Sequence, residues 1–267
     1  MISMQTGKNV LISNNQNIGN RILNEASLKP IKEKISNADS SDVLIKVLHI
    51  GDSHIKGGIF SQQFMEKLNS YYAEKYHGNL FFNFQWFCKI GTKYSDYNEL
   101  AELDTQLKTE QPDLVIISLG TNDAFSGSSK TNFYDKIDHL VKKIKKLCPE
   151  SCILITTPSD ALKFDKVKGA YLALPEIKNV VNILIKYAKD HSIACWNLYE
   201  IMGGEYSIGS WVTKKLAQPD RIHFTAKGYE MLADWLFTAF TNAMQSDLTT
   251  IKNNPIPEKQ NNIYAFN

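Results

Sequence analysis

Val47-Leu48-His49-Ile50-Gly51-Asp52-Ser53-His54 is the stretch from which the rest of the chain can be read. Val43, Leu44, Ile45, Val47, Leu48 and Ile50 make a short continuous apolar run, the pattern of a strand buried on both faces. Gly51 is read as the residue that lets the backbone turn. A carboxylate, a hydroxyl and an imidazole follow it, then Gly57-Gly58 and an amphipathic segment. Open α/β sheets bind ligands just outside the carboxyl ends of their strands. Ser53 is therefore the candidate centre, and the rest of the chain is searched for what a serine there requires.

The apolar runs recur. Leu80 to Phe87, Leu114 to Leu119, Cys152 to Thr156 and Ile193 to Leu198 read as four further strands. Between them lie helical patterns at Phe60–Tyr76, Tyr97–Thr109, Phe133–Leu147 and Pro175–His191, with a last amphipathic helix at Ala226–Ala243. Strands alternating with helices predict an α/β fold, a parallel sheet covered on both faces and joined by right-handed crossovers. Residues 1–40 are expected to be poorly ordered or draped on the surface, with a short helix at Asn24–Ser36. Residues 41–245 form the one folded domain, and 246–267 a loose tail.

Composition narrows the function classes. The 267 residues are 43% hydrophobic and 22% charged, an ordinary globular balance. With 30 basic and 28 acidic residues, the chain lacks the excess that non-specific nucleic-acid binding uses. Lys142-Lys143-Ile144-Lys145-Lys146 reads as a solvated helix face, and Lys163 to Lys168 as a solvated loop. No segment approaches the ~18 apolar residues of a membrane span. The expected location is periplasmic or secreted if a signal peptide has been removed, and otherwise cytoplasmic; no oligomeric state follows from the sequence. Cys88, Cys148, Cys152 and Cys195 show no metal-binding spacing, and a Cys148–Cys152 disulfide stays open.

A serine hydroxyl attacks a carbonyl only with a base in reach and a third group orienting that base. Asp220-Arg221-Ile222-His223, after the fifth strand, offers both: Asp220 to orient the ring, His223 to take the proton. The oxyanion formed on attack needs preorganised donors. The Ser53 and Gly91 backbone N–H groups and the Asn122 amide stand at strand ends facing the same edge. The simpler alternatives are an N-cap for Ser53, an Asx-turn for Asn122-Asp123 and a structural histidine at 223. Asp52 is expected to hold the turn, and His54 to pack under it without a catalytic role. Trp211 and Phe125 are read equally as core or pocket.

Gly51-Asp52-Ser53, the isolated Gly91, Gly120-Thr121-Asn122-Asp123 and Asp220-Arg221-Ile222-His223 together resemble the four blocks of the SGNH (GDSL-like) hydrolases, over about 44–240. The resemblance implies a flavodoxin-like three-layer α/β/α sandwich around a five-stranded parallel sheet. It implies ester hydrolysis through an acyl-enzyme without cofactor or metal. By the same resemblance Ser53 is the nucleophile, Asp220 and His223 complete the triad, and Ser53, Gly91 and Asn122 form the oxyanion hole. Gly-Asp-Ser-His, the later Met202-Gly203-Gly204, Trp211 and the Asp220–Thr225 block resemble bacterial members that remove O-acetyl groups from peptidoglycan or other carbohydrates. The expected substrate is a small acyl ester, an O-acetylated glycan. An O-acetyltransferase, a lipase or thioesterase, and a catalytically idle binding module remain the alternatives.

Overall fold

The computed structural model describes residues 19–127 and 132–246. Eight strands occur there: β1 (Ile22–Leu23), β2 (Val43–Gly51), β3 (Leu80–Cys88), β4 (Leu114–Ser118), β5 (Cys152–Thr156), β6 (Leu162–Asp165), β7 (Ala170–Ala173) and β8 (Ala194–Trp196). Six of them build the central sheet in the order β1-β8-β5-β4-β2-β3, and β6 pairs with β7 in a separate hairpin. The five strands from β8 to β3 run parallel. They are the five expected. The sixth, β1, is antiparallel, pairing Ile22 with Trp196.

Strand β2 is buried along most of its length because its two faces feed two different cores. Val43, Ile45 and Val47 point into one, and Leu48 and Ile50 into the other. The first core is closed by the helices Lys29–Ser36, Ile59–Lys75 and Ala226–Gln245, the second by Ala101–Glu110, Phe133–Leu147 and Pro175–Asp190. Helices on both faces are what a parallel sheet with two apolar sides requires. The pattern 3-2-4-5-8 places the first parallel strand, β2, between its immediate successor β3 on one side and the later strands β4, β5 and β8 on the other, the flavodoxin-like order. The reversal of direction falls between β2 and β4.

Several expectations change. From Leu28 to Ala38 the chain is not draped: Leu28, Ile31, Ile35 and Ala38 are buried at spacings of a helical face. Asn24 Nδ2 ties it to the Ala188 and Ile193 carbonyls, each at 2.9 Å. Residues 1–18 of that segment, and the tail beyond Ser246, lie outside the described residues. Cys148 and Cys152 are unbonded; the Cys148 thiol donates to the Leu107 carbonyl instead. The expected helix from Tyr97 is two helices, Tyr94–Asn98 and Ala101–Glu110. The lysine face of Phe133–Leu147 is partly ion-paired, Lys142 to Asp138 and Lys143 to Asp104, each at 2.6 Å. The stretch from Lys163 to Lys168 is no free loop but the end of β6 and the turn that follows it in the β6–β7 hairpin.

Candidate active site

At the end of β2, Asp52 caps the one-turn helix Ser53–Lys56, its Oδ1 accepting from the His54 N–H at 3.0 Å. Ser53 is thus the first residue of that turn. Gly51 is required, but not for the turn, since it does not adopt a left-handed conformation. A Cβ on Gly51 would lie 2.1 Å from Ile55 Cγ1, so the helical turn can fold back onto β2 only over a bare backbone.

Ser53 Oγ stands 3.0 Å from His223 Nε2, and His223 Nδ1 stands 2.7 Å from Asp220 Oδ2. The second Asp220 oxygen accepts from the backbone N–H groups of Ile222 and His223 at 2.9 and 3.0 Å. Partial burial pushes the Asp220 carboxyl upward, but the hydrogen bonds from the His223 ring and the two amides outweigh it and hold it below the usual range. Asp220 stays ionised and aimed. Arg221, between them, is left-handed at φ 60°, closing the tight loop that puts ring and carboxylate together.

Asn122 opens the site from the β4 side, on the short helix Thr121–Phe125. Its Nδ2 donates to Asp52 Oδ2 at 3.0 Å and to the Thr92 carbonyl at 3.1 Å. Asp52, only 1% exposed, therefore does two jobs: one oxygen caps the serine's helix and the other holds the amide. Gly91 precedes Thr92 in the loop after β3, at φ 75°. A Cβ there would meet nothing within 4 Å, so backbone conformation rather than crowding favours glycine. The loop is anchored below by the Tyr97 hydroxyl, which donates to the Gly51 carbonyl and accepts from the Lys89 N–H. Asp123, fully buried, accepts from the Tyr94 N–H, and burial pushes its carboxyl up to about 6.

His54 packs against His223. Its ring lies 5.1 Å from that of His223, tilted by 32°, and its Nδ1 is 3.2 Å from the Tyr229 hydroxyl. Burial lowers its pKa, so it is neutral there. Its Nε2 has no hydrogen-bond partner among the described residues, and His54 helps line a cavity of about 40 Å³ with Ser118, Thr156, Ser159 and Phe224.

Sequence reasoning missed what lies under the site. His49, inside the apolar run of β2, bonds Ser61 Oγ and Ser118 Oγ, each at 2.8 Å, and Thr156 Oγ1 donates to Ser118 at 2.8 Å. Burial alone drives the His49 pKa down to about 3, which keeps it a neutral cross-strand bridge. A histidine in an otherwise apolar strand was the only sequence signal for it. Trp211 is core, its Nε1–H donating to the Met202 carbonyl, and Phe125 packs partly buried against the second core. Among the described residues no cluster of His, Cys, Asp or Glu is arranged to hold a metal ion, and no helix is long and apolar enough to cross a membrane.

A serine at the central carboxyl edge of a sheet in this order, with Gly, Asn and Asp-x-x-His blocks on the neighbouring edges, defines an SGNH-type ester hydrolase. The chain belongs to the GDSL-like lipase/acylhydrolase family, whose signature matches residues 47–236. Comparison with curated protein sequences yields no match. Among solved structures, the chain resembles a peptidoglycan O-acetylesterase at 16% identity and TM-score 0.74, over 85% of this chain and 99% of that one. It resembles a two-domain esterase active on acetylated mannans at 16% identity and TM-score 0.59, over 82% of this chain and 54% of that one, about half its length. It also resembles an acetyl xylan esterase at 20% identity and TM-score 0.54, over 73% and 99%.

Proposed function

We propose that the protein removes O-acetyl groups from a glycan by way of an acetyl-enzyme on Ser53. The observation that carries this reading is the aligned relay from Ser53 Oγ through the His223 ring to Asp220, at 3.0 and 2.7 Å. Similarity to esterases that act on acetylated peptidoglycan, mannan and xylan supports the choice of substrate.

In this mechanism neutral His223 takes the Ser53 proton at Nε2 as Oγ attacks the acetyl carbonyl. Asp220, held ionised, fixes the tautomer with the proton on Nδ1 and stabilises the imidazolium that forms. Negative charge builds on the carbonyl oxygen, within reach of donors from Ser53, Gly91 and Asn122. The two amide hydrogens of Asn122 are already engaged, one by Asp52 and one by the Thr92 carbonyl. The oxyanion therefore takes the place of the Thr92 carbonyl, while Asp52 keeps the amide aimed. His223 then gives its proton to the departing sugar oxygen. Water, activated by the same nitrogen, cleaves the acetyl-serine to acetate.

The test is acetate release from acetylated glycans and an aryl acetate by wild type and by Ser53→Ala. The expected result is turnover in the former and none in the latter, with unchanged circular dichroism. Turnover by Ser53→Ala would overturn the assignment.

A further inference from the structure

We propose that the β6–β7 hairpin is a glycan-binding platform beside the triad and that it selects acetylated polymers carrying carboxylates. The inference rests on the esterase reading above and adds to it a subsite and a charge class of substrate.

Position comes first. The Leu162 N–H at the root of the hairpin donates to the Arg221 carbonyl at 3.1 Å, and Arg221 lies between Asp220 and His223 in sequence. The hairpin thus stands on the loop that holds the base. The Arg221 guanidinium lies 4.3 Å from the centroid of the Tyr171 ring, a cation–π contact that ties the same loop to β7. A Cβ placed on Gly209, on the helix Ser207–Thr213, would lie 4.0 Å from an Arg221 guanidinium nitrogen.

The hairpin is built rather than loose. Asp165 Oδ1 accepts from the Val167 and Lys168 N–H groups at 2.8 and 3.0 Å, and Gly169 is left-handed at φ 62°. Four register pairs, from Leu162–Ala173 to Asp165–Ala170, close it. Phe164 meets Tyr171 edge to face at 5.1 Å and stays 48% exposed. An exposed ring held in place by a second ring suits the apolar C–H face of a sugar, because little side-chain freedom is lost on binding.

Charge decides the class. Residues 161–174 carry Lys163, Lys166 and Lys168 against the single carboxylate of Asp165, whose Oδ1 is occupied by the turn. None of the three lysines forms an ion pair among the described residues, and with Arg221 they make four cations on one hairpin and its supporting loop. Arg221 likewise meets no hydrogen-bond acceptor among the described residues, and its planar fork matches a carboxylate. A neutral mannan or xylan offers these cations nothing, and a glycan with carboxylates near the ester satisfies them.

The experiment compares kcat/KM on O-acetylated polygalacturonate, acetylated glucomannan and an aryl acetate, for wild type, Phe164→Ala and the triple variant Lys163→Gln/Lys166→Gln/Lys168→Gln. Wild type is expected to prefer the acidic polymer, through KM, with a preference that fades as salt rises. The triple variant is expected to lower the ratio of acidic polymer to aryl acetate by about tenfold, as three exposed ionic contacts allow. Phe164→Ala is expected to lower the ratio for both polymers. Ratios that do not move, or equal use of the neutral polymer at low salt, would overturn the proposal. If wild type leaves the aryl acetate intact, the esterase reading fails by itself. The platform is then tested by retardation of Ser53→Ala in a gel containing de-esterified polygalacturonate: salt-sensitive retardation that the triple substitution abolishes supports it, and none contradicts it.

Discussion

Asn122 has two amide hydrogens and the structure engages both, so this residue and Asp52 act as one device. Loss of a single oxyanion donor lowers turnover by roughly 10²–10³. Asn122→Ala is expected to fall in that range, and Asp52→Ala somewhat less. The double variant is expected to be little worse than Asn122→Ala alone, because the carboxylate has nothing left to aim. Steady-state kinetics of the cycle check this, and multiplicative losses would separate the two residues. Asp123, next in sequence, makes a different prediction. Burial raises its carboxyl to about 6, so the folded state favours the protonated acid. Its stabilising effect is full below the unfolded value, near 4, and is lost as pH rises through 6. The melting temperature of Asp123→Asn minus that of wild type should therefore grow between pH 4 and 7, by the equivalent of about 2–3 kcal/mol. A constant difference would contradict the burial account. Ser53, Asn122, Asp220 and His223 could be picked out as candidates in the sequence because each sits in a local block, and the structure brings Ser53, His223 and Asp220 into one hydrogen-bonded chain. The bond from Asp52 to Asn122 was not legible, since it joins residues 70 apart in sequence. Nor was the stack of His54 on His223.

The turn that carries Ser53 depends on one missing side chain. A methyl group on Gly51 would overlap Ile55, which is itself buried, so the helix Ser53–Lys56 would have to lift from β2. Gly51→Ala is expected to destabilise the protein by about 1–3 kcal/mol, an overpacking effect. Activity should fall further than stability, since Ser53, the proposed nucleophile, moves with the turn. Truncating the obstacle, in Gly51→Ala/Ile55→Ala, should restore part of the turnover. Urea denaturation and aryl acetate kinetics on the pair check both halves. At this scale the sequence read strands well where a continuous apolar run marked them. It read β6 and β7 as a loop because Lys163-Phe164-Asp165-Lys166 alternates weakly and mixes charge with one ring. It missed β1 because a two-residue strand has no period to detect.

At the scale of the molecule, the site sits where the sheet reverses direction. The connections after β2 and β4 leave for opposite faces of the sheet there, and the β3 loop, the Asn122 helix and the His223 loop converge on that crevice. What fixes the position of the crevice is the packing of two cores on one sheet. The N-terminal segment belongs to the first of them. Leu28→Ala, at a fully buried position far from the triad in sequence, is expected to cost about 2–5 kcal/mol while leaving kcat of the folded protein unchanged. Thermal melts and active-site-normalised kinetics distinguish this from a merely draped segment, for which no loss would occur. The α/β class and five parallel strands followed from the alternation of patterns alone. The order of those strands came from the resemblance, since periodicity carries no information on which neighbour a strand selects. The central claim is a covalent one, that Ser53 becomes acetylated during turnover. The most direct measurement is mass spectrometry of enzyme quenched in acid during turnover of an aryl acetate. The mass of one acetyl group is predicted on the peptide containing Ser53, absent in Ser53→Ala and reduced in His223→Ala. An acetyl group on another residue, with Ser53 unmodified while acetate is released, would contradict it.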